Sequence, residues 1–250
     1  MNPVEQYEHG RDEQVRANIN DPCLRTATYE FTKHLVRTNY TKNFTWMGRP
    51  ILQYPSDMFV MQELIWKIKP DVIIETGMAF GGTAVFYASV MEAYGSFGNV
   101  ITIDIEIRNH NWEAIQFGVK SDMIMSLERD SANPATLLEV KDTIENFCPS
   151  DPTILVALDS NHTEDHVYRE LQLYAPLVSV GSYIVVFDTA IEFMMTEQPA
   201  DRPWGPGNNP MTAVNRWMRD DNDGRFVRDL EVEKRALVTA APGGWLRRIK

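Results

Sequence analysis

Apolar positions along this chain alternate between two periods. Met61, Leu64, Ile65 and Ile68 recur at i, i+3, i+4 and i+7, the spacing of a helix with one buried stripe, and Ser56 and Pro70 bracket it as start and stop signals. Val72, Ile73 and Ile74 follow as an unbroken apolar run, as expected of a strand covered on both faces. The alternation repeats, with strands expected at residues 100–105, 123–127, 154–158 and 183–187 and helices at 83–94, 134–147 and 164–177. This order predicts βαβ units and an α/β fold with a doubly wound, mostly parallel sheet. Asn209-Pro210 then opens a helix to about residue 220. Residues 236–239 and 245–249, joined by Pro242-Gly243-Gly244, read as an antiparallel C-terminal hairpin. Residues 1–55, punctuated by Pro3, Pro22, Pro50 and Pro55 and with one helix at 24–36, are expected to form an irregular N-terminal extension that caps a main domain of residues 56–250.

Composition narrows the class without naming a function. The 250 residues are 44% hydrophobic and 24% charged, ordinary for a globular protein with a full core. A net charge of −11 lacks the basic footprint that nucleic-acid phosphates or an anionic membrane surface require. Cys23 and Cys148 make no disulfide framework, the first residues lack the apolar segment of a signal peptide, and no apolar run reaches the length of a membrane span. The expectation is a cytoplasmic protein without nucleic-acid partner or membrane span; homo-oligomerisation is left open.

The chemistry gathers at strand ends. Glu75-Thr76-Gly77-Met78-Ala79-Phe80-Gly81-Gly82-Thr83 is a strand end, a glycine turn and a helix start, where free N–H groups face a ligand. The G-x-x-x-G-G spacing departs from the G-x-G-x-x-G of dinucleotide enzymes and fits the E/D-x-G-x-x-x-G pattern of S-adenosylmethionine binders, in which Glu75 holds the cationic amino-acid end. The plainer alternative is a tight turn with no ligand. Asp104, ending the next strand, can accept both hydroxyls of a ribose, and Asp130 and Ser131 after the third can hydrogen-bond an adenine edge. Asp159 and Asp188 each end a later strand; two hard carboxylates suit Mg²⁺, acting as a Lewis acid on a substrate hydroxyl. His162 is a general-base candidate, because an imidazole titrates near neutral pH, and His110 is a second. A helix-entry histidine bonded to backbone is the bland alternative for His162.

From about Phe44 onward the chain resembles the cephalosporin hydroxylase / rhamnosyl O-methyltransferase family of class I S-adenosylmethionine-dependent enzymes. The resemblance is carried by Trp46-Met47-Gly48-Arg49-Pro50, Ile73-Ile74-Glu75-Thr76-Gly77, Leu158-Asp159-Ser160-Asn161-His162-Thr163 and Val180-Gly181-Ser182-Tyr183. It is also carried by Arg202-Pro203-Trp204-Gly205-Pro206-Gly207-Asn208-Asn209-Pro210 and Ala241-Pro242-Gly243-Gly244-Trp245-Leu246. It implies a Rossmann-like, seven-stranded sheet of order 3-2-1-4-5-7-6 with strand 7 antiparallel. It implies S-adenosylmethionine held by Glu75, Gly77, Gly81, Gly82, Thr83, Asp104, Asp130 and Ser131, and Mg²⁺ on Asp159 and Asp188. Asp159 and His162 then serve O-methylation of a sugar or other small-molecule acceptor, with residues 202–210 as a lid or acceptor wall. Two positions depart from the family pattern: Phe187 stands where some members carry an acid, and Phe80 where many carry a histidine. The rival readings are a catalytically inactive methyltransferase-fold subunit and an NAD-dependent oxidoreductase.

Overall fold

Three all-apolar runs lie side by side at the centre of the sheet. The computed structural model describes residues 2–109, 111, 121–147, 151–193 and 202–250. Strands β1 (Phe44–Trp46) and β2 (Arg49–Ile51) form a small antiparallel pair. The main sheet is built from β3 (Val72–Thr76), β4 (Asn99–Asp104), β5 (Ile124–Glu128), β6 (Ile154–Leu158), β7 (Tyr183–Val186), β8 (Phe226–Arg228) and β9 (Trp245–Arg248). Their order is β5-β4-β3-β6-β7-β9-β8, parallel except for β9, which runs against both β7 and β8. Every residue of β3, β6 and β7 is buried, which is why these segments show no polar alternation.

The pleat sorts side chains to two cores. Ile73, Val100, Leu155 and Val185 face helices α3 (Pro55–Ile68) and α4 (Gly82–Ala93), whose Met61, Leu64, Ile65 and Ala88 meet them. Ile74, Ile101, Val156 and Val186 face the other way, against Val140 of α5 (Pro134–Phe147), Leu171 of α6 (Glu164–Tyr174) and Trp217 of α7 (Pro210–Asp220). The register pairs Thr76 with both Ile103 and Leu158, so β3, β4 and β6 end level and their following residues share one rim.

Three local expectations need correction. Tyr54, not Ser56, is the N-cap of α3; Pro55 takes the first helical position, and the Ser56 hydroxyl donates instead to the Val238 carbonyl. Residues 236–239 are not a strand. Helix α8 (Leu230–Ala236), capped by Asp229 on the Val232 N–H at 3.1 Å, ends where the sequence predicts that strand to begin, residues 237–239 form neither helix nor strand, and β9 pairs with β8. The reason is burial: Val232, Glu233 and Ala236 face inward along a run of helix-forming residues, and Leu237 leaves it at φ +60°. The N-terminal extension is not irregular either. It holds α1 (Pro3–Asn20), with a capping box between Asn2 and Glu5, and α2 (Pro22–Arg37), capped by Asp21 on Cys23 and Leu24. Among the described apolar side chains of these helices only Val15 and Leu35 are buried, so α1 writes no stripe into the sequence, while α2 falls on the helix expected at 24–36. Among the described residues, no helix is long and apolar enough to cross a membrane.

Candidate active site

The glycine turn between β3 and α4 is shaped by what packs on it. Gly77 lies at φ +87°, and a Cβ there would stand 2.0 Å from the Asp159 carbonyl oxygen, so only glycine lets the exits of β3 and β6 touch. A Cβ on Gly82 would stand 2.1 Å from the Pro50 carbonyl oxygen, so this glycine admits β2 against the helix start. Gly81, at φ +76°, caps α4 without a side chain. The turn is held from behind: Arg49 Nε donates to the Phe80 carbonyl at 2.9 Å, and Arg49 also donates to Asn111 Oδ1 at 2.6 Å. Asn111 Nδ2 in turn donates to the Ala79 carbonyl at 2.6 Å. With its carbonyls tied back, the turn aims N–H groups forward, and Asp104 Oδ2 accepts from Met78 N at 2.9 Å and Ala79 N at 3.2 Å.

Gly77, Gly82, Thr83, Asp104, Asp130, Ser131, Asp159, His162 and Asp188 all line one cavity of about 580 Å³ at the carboxyl ends of the parallel strands. Glu75 does not line it. It is buried beneath the turn, its Oε2 accepting from Thr102 Oγ1 at 2.6 Å. Burial pushes its carboxyl up to about 7, against hydrogen bonds from Thr102 and Thr83 that lower it. A direct contact of Glu75 with a ligand is therefore not what the geometry offers; Glu75 supports Thr83, which does line the cavity. Asp130 Oδ1 accepts from Ala132 N at 2.9 Å, and Ser131 Oγ donates to the buried Glu170 at 2.6 Å.

At the other end of the cavity, Asp159, His162 and Asp188 each offer one ligand atom, all within 4.8 Å of one another. Asp188 follows β7 at φ +56°, a left-handed conformation that aspartate tolerates better than most residues. Its Oδ2 lies 3.2 Å from His162 Nε2. Gln53, between β2 and α3, donates from Nε2 to Asp159 Oδ2 at 2.7 Å. Burial, and then the negative charge of Asp188, hold the Asp159 carboxyl well above the usual range. Two oxygen donors this close, one resisting ionisation, suit a hard divalent cation such as Mg²⁺. Trp204 stands edge-on to the His162 ring at 4.9 Å and 87°, with the Arg202 guanidinium 5.0 Å from its centroid. Phe187 is buried and packs on Trp245, so it adds no ligand, while Phe80 joins the cavity wall. His110 lies outside the described residues.

Gln53, Arg49, His166 and Glu170 escape a reading of strand ends. Gln53 and Arg49 come from the N-terminal segment and reach the site only through tertiary packing. His166 and Glu170 had a signal, their i, i+4 spacing on one face of α6.

A sheet of order β5-β4-β3-β6-β7-β9-β8 with β9 antiparallel, and a cavity across its switch point, define a class I methyltransferase fold. An apo structure of CmcI matches 84% of this chain and 77% of its own at 16% identity and TM-score 0.57. A Mg–SAM structure of CmcI matches 84% and 78% at 16% identity and TM-score 0.54. The rhamnosyl O-methyltransferase of Mycobacterium tuberculosis is 31% identical over 205 residues, 82% of this chain and 78% of that protein. The one of Mycobacterium leprae is 31% identical over 204 residues, 82% of each chain. The family model for rhamnosyl O-methyltransferase/CmcI matches residues 38–249, and the chain belongs to this family and with it to the S-adenosylmethionine-dependent O-methyltransferases.

Proposed function

We propose that this protein methylates a hydroxyl of a sugar or glycosylated natural product, using S-adenosylmethionine and Mg²⁺. The observation that carries the reading is that one cavity holds both the glycine turn with Asp104 and the Asp159–His162–Asp188 cluster. The names of the mycobacterial relatives support the sugar acceptor. The family membership sets the dinucleotide alternative aside.

When bound, S-adenosylmethionine supplies the methyl group and Mg²⁺ supplies Lewis acidity at the acceptor oxygen. The chain's own residues divide the remaining work. The turn of residues 77–83 and Asp104 bind the cofactor, with Asp130 and Ser131 at its adenine end. Asp159 and Asp188 hold the metal. His162, fixed through Nε2 by Asp188, takes the acceptor's hydroxyl proton. Trp204 walls the His162 side and excludes water. Residues 1–55 act as a cap, a role supported by Pro50, Leu52 and Gln53 in the cavity wall. Alignment of acceptor and methyl donor within one wall would supply much of the rate. A net charge of −11 supports a small-molecule acceptor rather than nucleic acid.

Isothermal titration with S-adenosylhomocysteine tests the cofactor site. Binding is expected in the micromolar range and is expected to weaken at least about tenfold in Asp104→Ala, the loss of a hydrogen-bonded carboxylate. No binding to the parent protein sinks the reading. EDTA, or Asp159→Ala, is expected to abolish turnover of a rhamnoside acceptor while leaving S-adenosylhomocysteine affinity within about threefold. Full activity in EDTA rejects the metal.

A further inference from the structure

Glu170 on α6 is fully buried and has no part in the steps above. Its Oε1 accepts from Ser131 Oγ at 2.6 Å and from Ser160 Oγ at 2.6 Å. Its Oε2 has no hydrogen-bond partner among the described residues. Ser131 follows β5 and Ser160 follows β6, strands with β4 and β3 between them, so one carboxylate ties together loops from both sides of the central pair. Ser131, Ser160 and His166 line the cavity; Glu170 lies behind them.

A carboxylate accepts and does not donate, so each serine must give its single proton to Glu170. What remains toward the cavity is oxygen lone pairs. His166 closes the arrangement, its Nε2 lying 3.1 Å from Ser131 Oγ, 3.2 Å from Ser160 Oγ and 3.4 Å from Glu170 Oε1. Burial disfavours the charged form of His166, but the hydrogen bond and negative charge of Glu170 outweigh it and raise its pKa. With the Glu170 oxygen, an acceptor only, 3.4 Å away, the geometry favours the tautomer with its hydrogen on Nε2, and the serine protons then turn to Glu170. A free serine hydroxyl rotates to suit a donor or an acceptor; these two are fixed.

We propose that Glu170 locks Ser131 and Ser160 as hydrogen-bond acceptors, and that this wall makes the cavity select adenine, with its exocyclic amino group, over hypoxanthine, with a carbonyl in its place. The proposal rests on the cofactor reading above. Glu170 is a positioning residue that acts through the serines. Asp130, beside Ser131 in the wall, adds a further acceptor. An amino group donates to such a wall, whereas a carbonyl oxygen faces lone pairs and leaves both sides unpaired.

The test compares S-adenosylhomocysteine with its deaminated analogue, S-inosylhomocysteine, by isothermal titration. The parent protein is expected to prefer the adenine form by at least about tenfold, the cost of one unpaired polar contact. In Glu170→Gln the amide can donate as well as accept, releasing a serine proton, so the preference is expected to fall to about threefold or less, with the inosine form binding more tightly than before. Parent binding of both ligands within about twofold overturns the proposal, as does a folded Glu170→Gln that keeps the full preference. If Glu170→Gln does not fold, Ser131→Ala and Ser160→Ala decide: loss of affinity for the adenine form alone supports the lock, and equal loss for both forms overturns it. Failure of the cofactor reading looks different, because the parent protein then binds neither ligand.

Discussion

Among the described residues, the Asp159 carboxylate takes its hydrogen bond from an amide outside the sheet. Gln53 Nε2 donates to its carboxylate at 2.7 Å, while the Gln53 side chain is 97% shielded (3% exposed) and its Oε1 has no partner among the described residues. Removing that amide frees one carboxylate oxygen of Asp159 and leaves the cofactor end of the cavity untouched. Gln53→Ala is therefore expected to lower kcat by about tenfold or more, with S-adenosylhomocysteine affinity within about twofold, measured by steady-state kinetics and titration calorimetry. An equal loss of cofactor affinity would show that Gln53 acts on the whole cavity. At this scale residue type was legible in the sequence: an acid ending an apolar strand marked Asp104, Asp159 and Asp188, and all three reach the cavity. Contact was not. Glu75 stands one residue before the end of β3, level with Thr102 rather than with Asp104, and its side chain points beneath the turn to Thr102. A strand alternates its faces with every residue, and the face that meets the ligand depends on where the turn then folds.

The turn and the elements around it depend on two glycines whose neighbours are backbone atoms. Gly77→Ala would bring a Cβ to 2.0 Å from the Asp159 carbonyl at a positive φ, and Gly82→Ala would bring one to 2.1 Å from the Pro50 carbonyl. Backbone cannot yield as a flexible side chain does, so each substitution is expected to destabilise by several kcal/mol, read as a fall in urea midpoint. Trp217→Ala on α7, emptying the space beside Phe226, is expected to cost about 3–5 kcal/mol by the same measurement. Elements with a strong apolar period, such as α3, β3 and β6, were readable from the chain. Helix α1 was not, because almost none of its described surface is buried, whereas α2 falls on the helix expected at 24–36. Nor was α8, because Val232 and Ala236 sit in a short polar run whose inward face is decided by the sheet it covers.

Several buried acids give the whole molecule a pH dependence of definite sign. Burial raises Asp57 from 3.8 to about 7 and Glu75 from 4.5 to about 7. Between pH of about 4 and 7 the folded protein therefore binds more protons than the unfolded chain, and stability falls as pH rises through that window. The melting temperature is expected to drop by several degrees between pH 5 and pH 8 in EDTA, as a few kcal/mol of linkage would produce in a chain of this size. Asp57→Asn is expected to flatten the slope, because its Oδ2 accepts from Ala240 N, a role an amide oxygen retains, while no charge remains to be buried. A melting temperature that rises from pH 5 to pH 8 would contradict this account. The chain by itself determined the fold class, the parallel strands β3 to β7 and the set of acids at their ends, because apolar periodicity and turn chemistry are local. Only the tertiary structure decided which of those acids meet. Strand order sets β6 between β3 and β7, and the fold gathers Asp159, Asp188 and His162 within 4.8 Å and sends Gln53 to Asp159 from the N-terminal segment. Those neighbours are set by packing across the sheet, and no spacing along the chain encodes them.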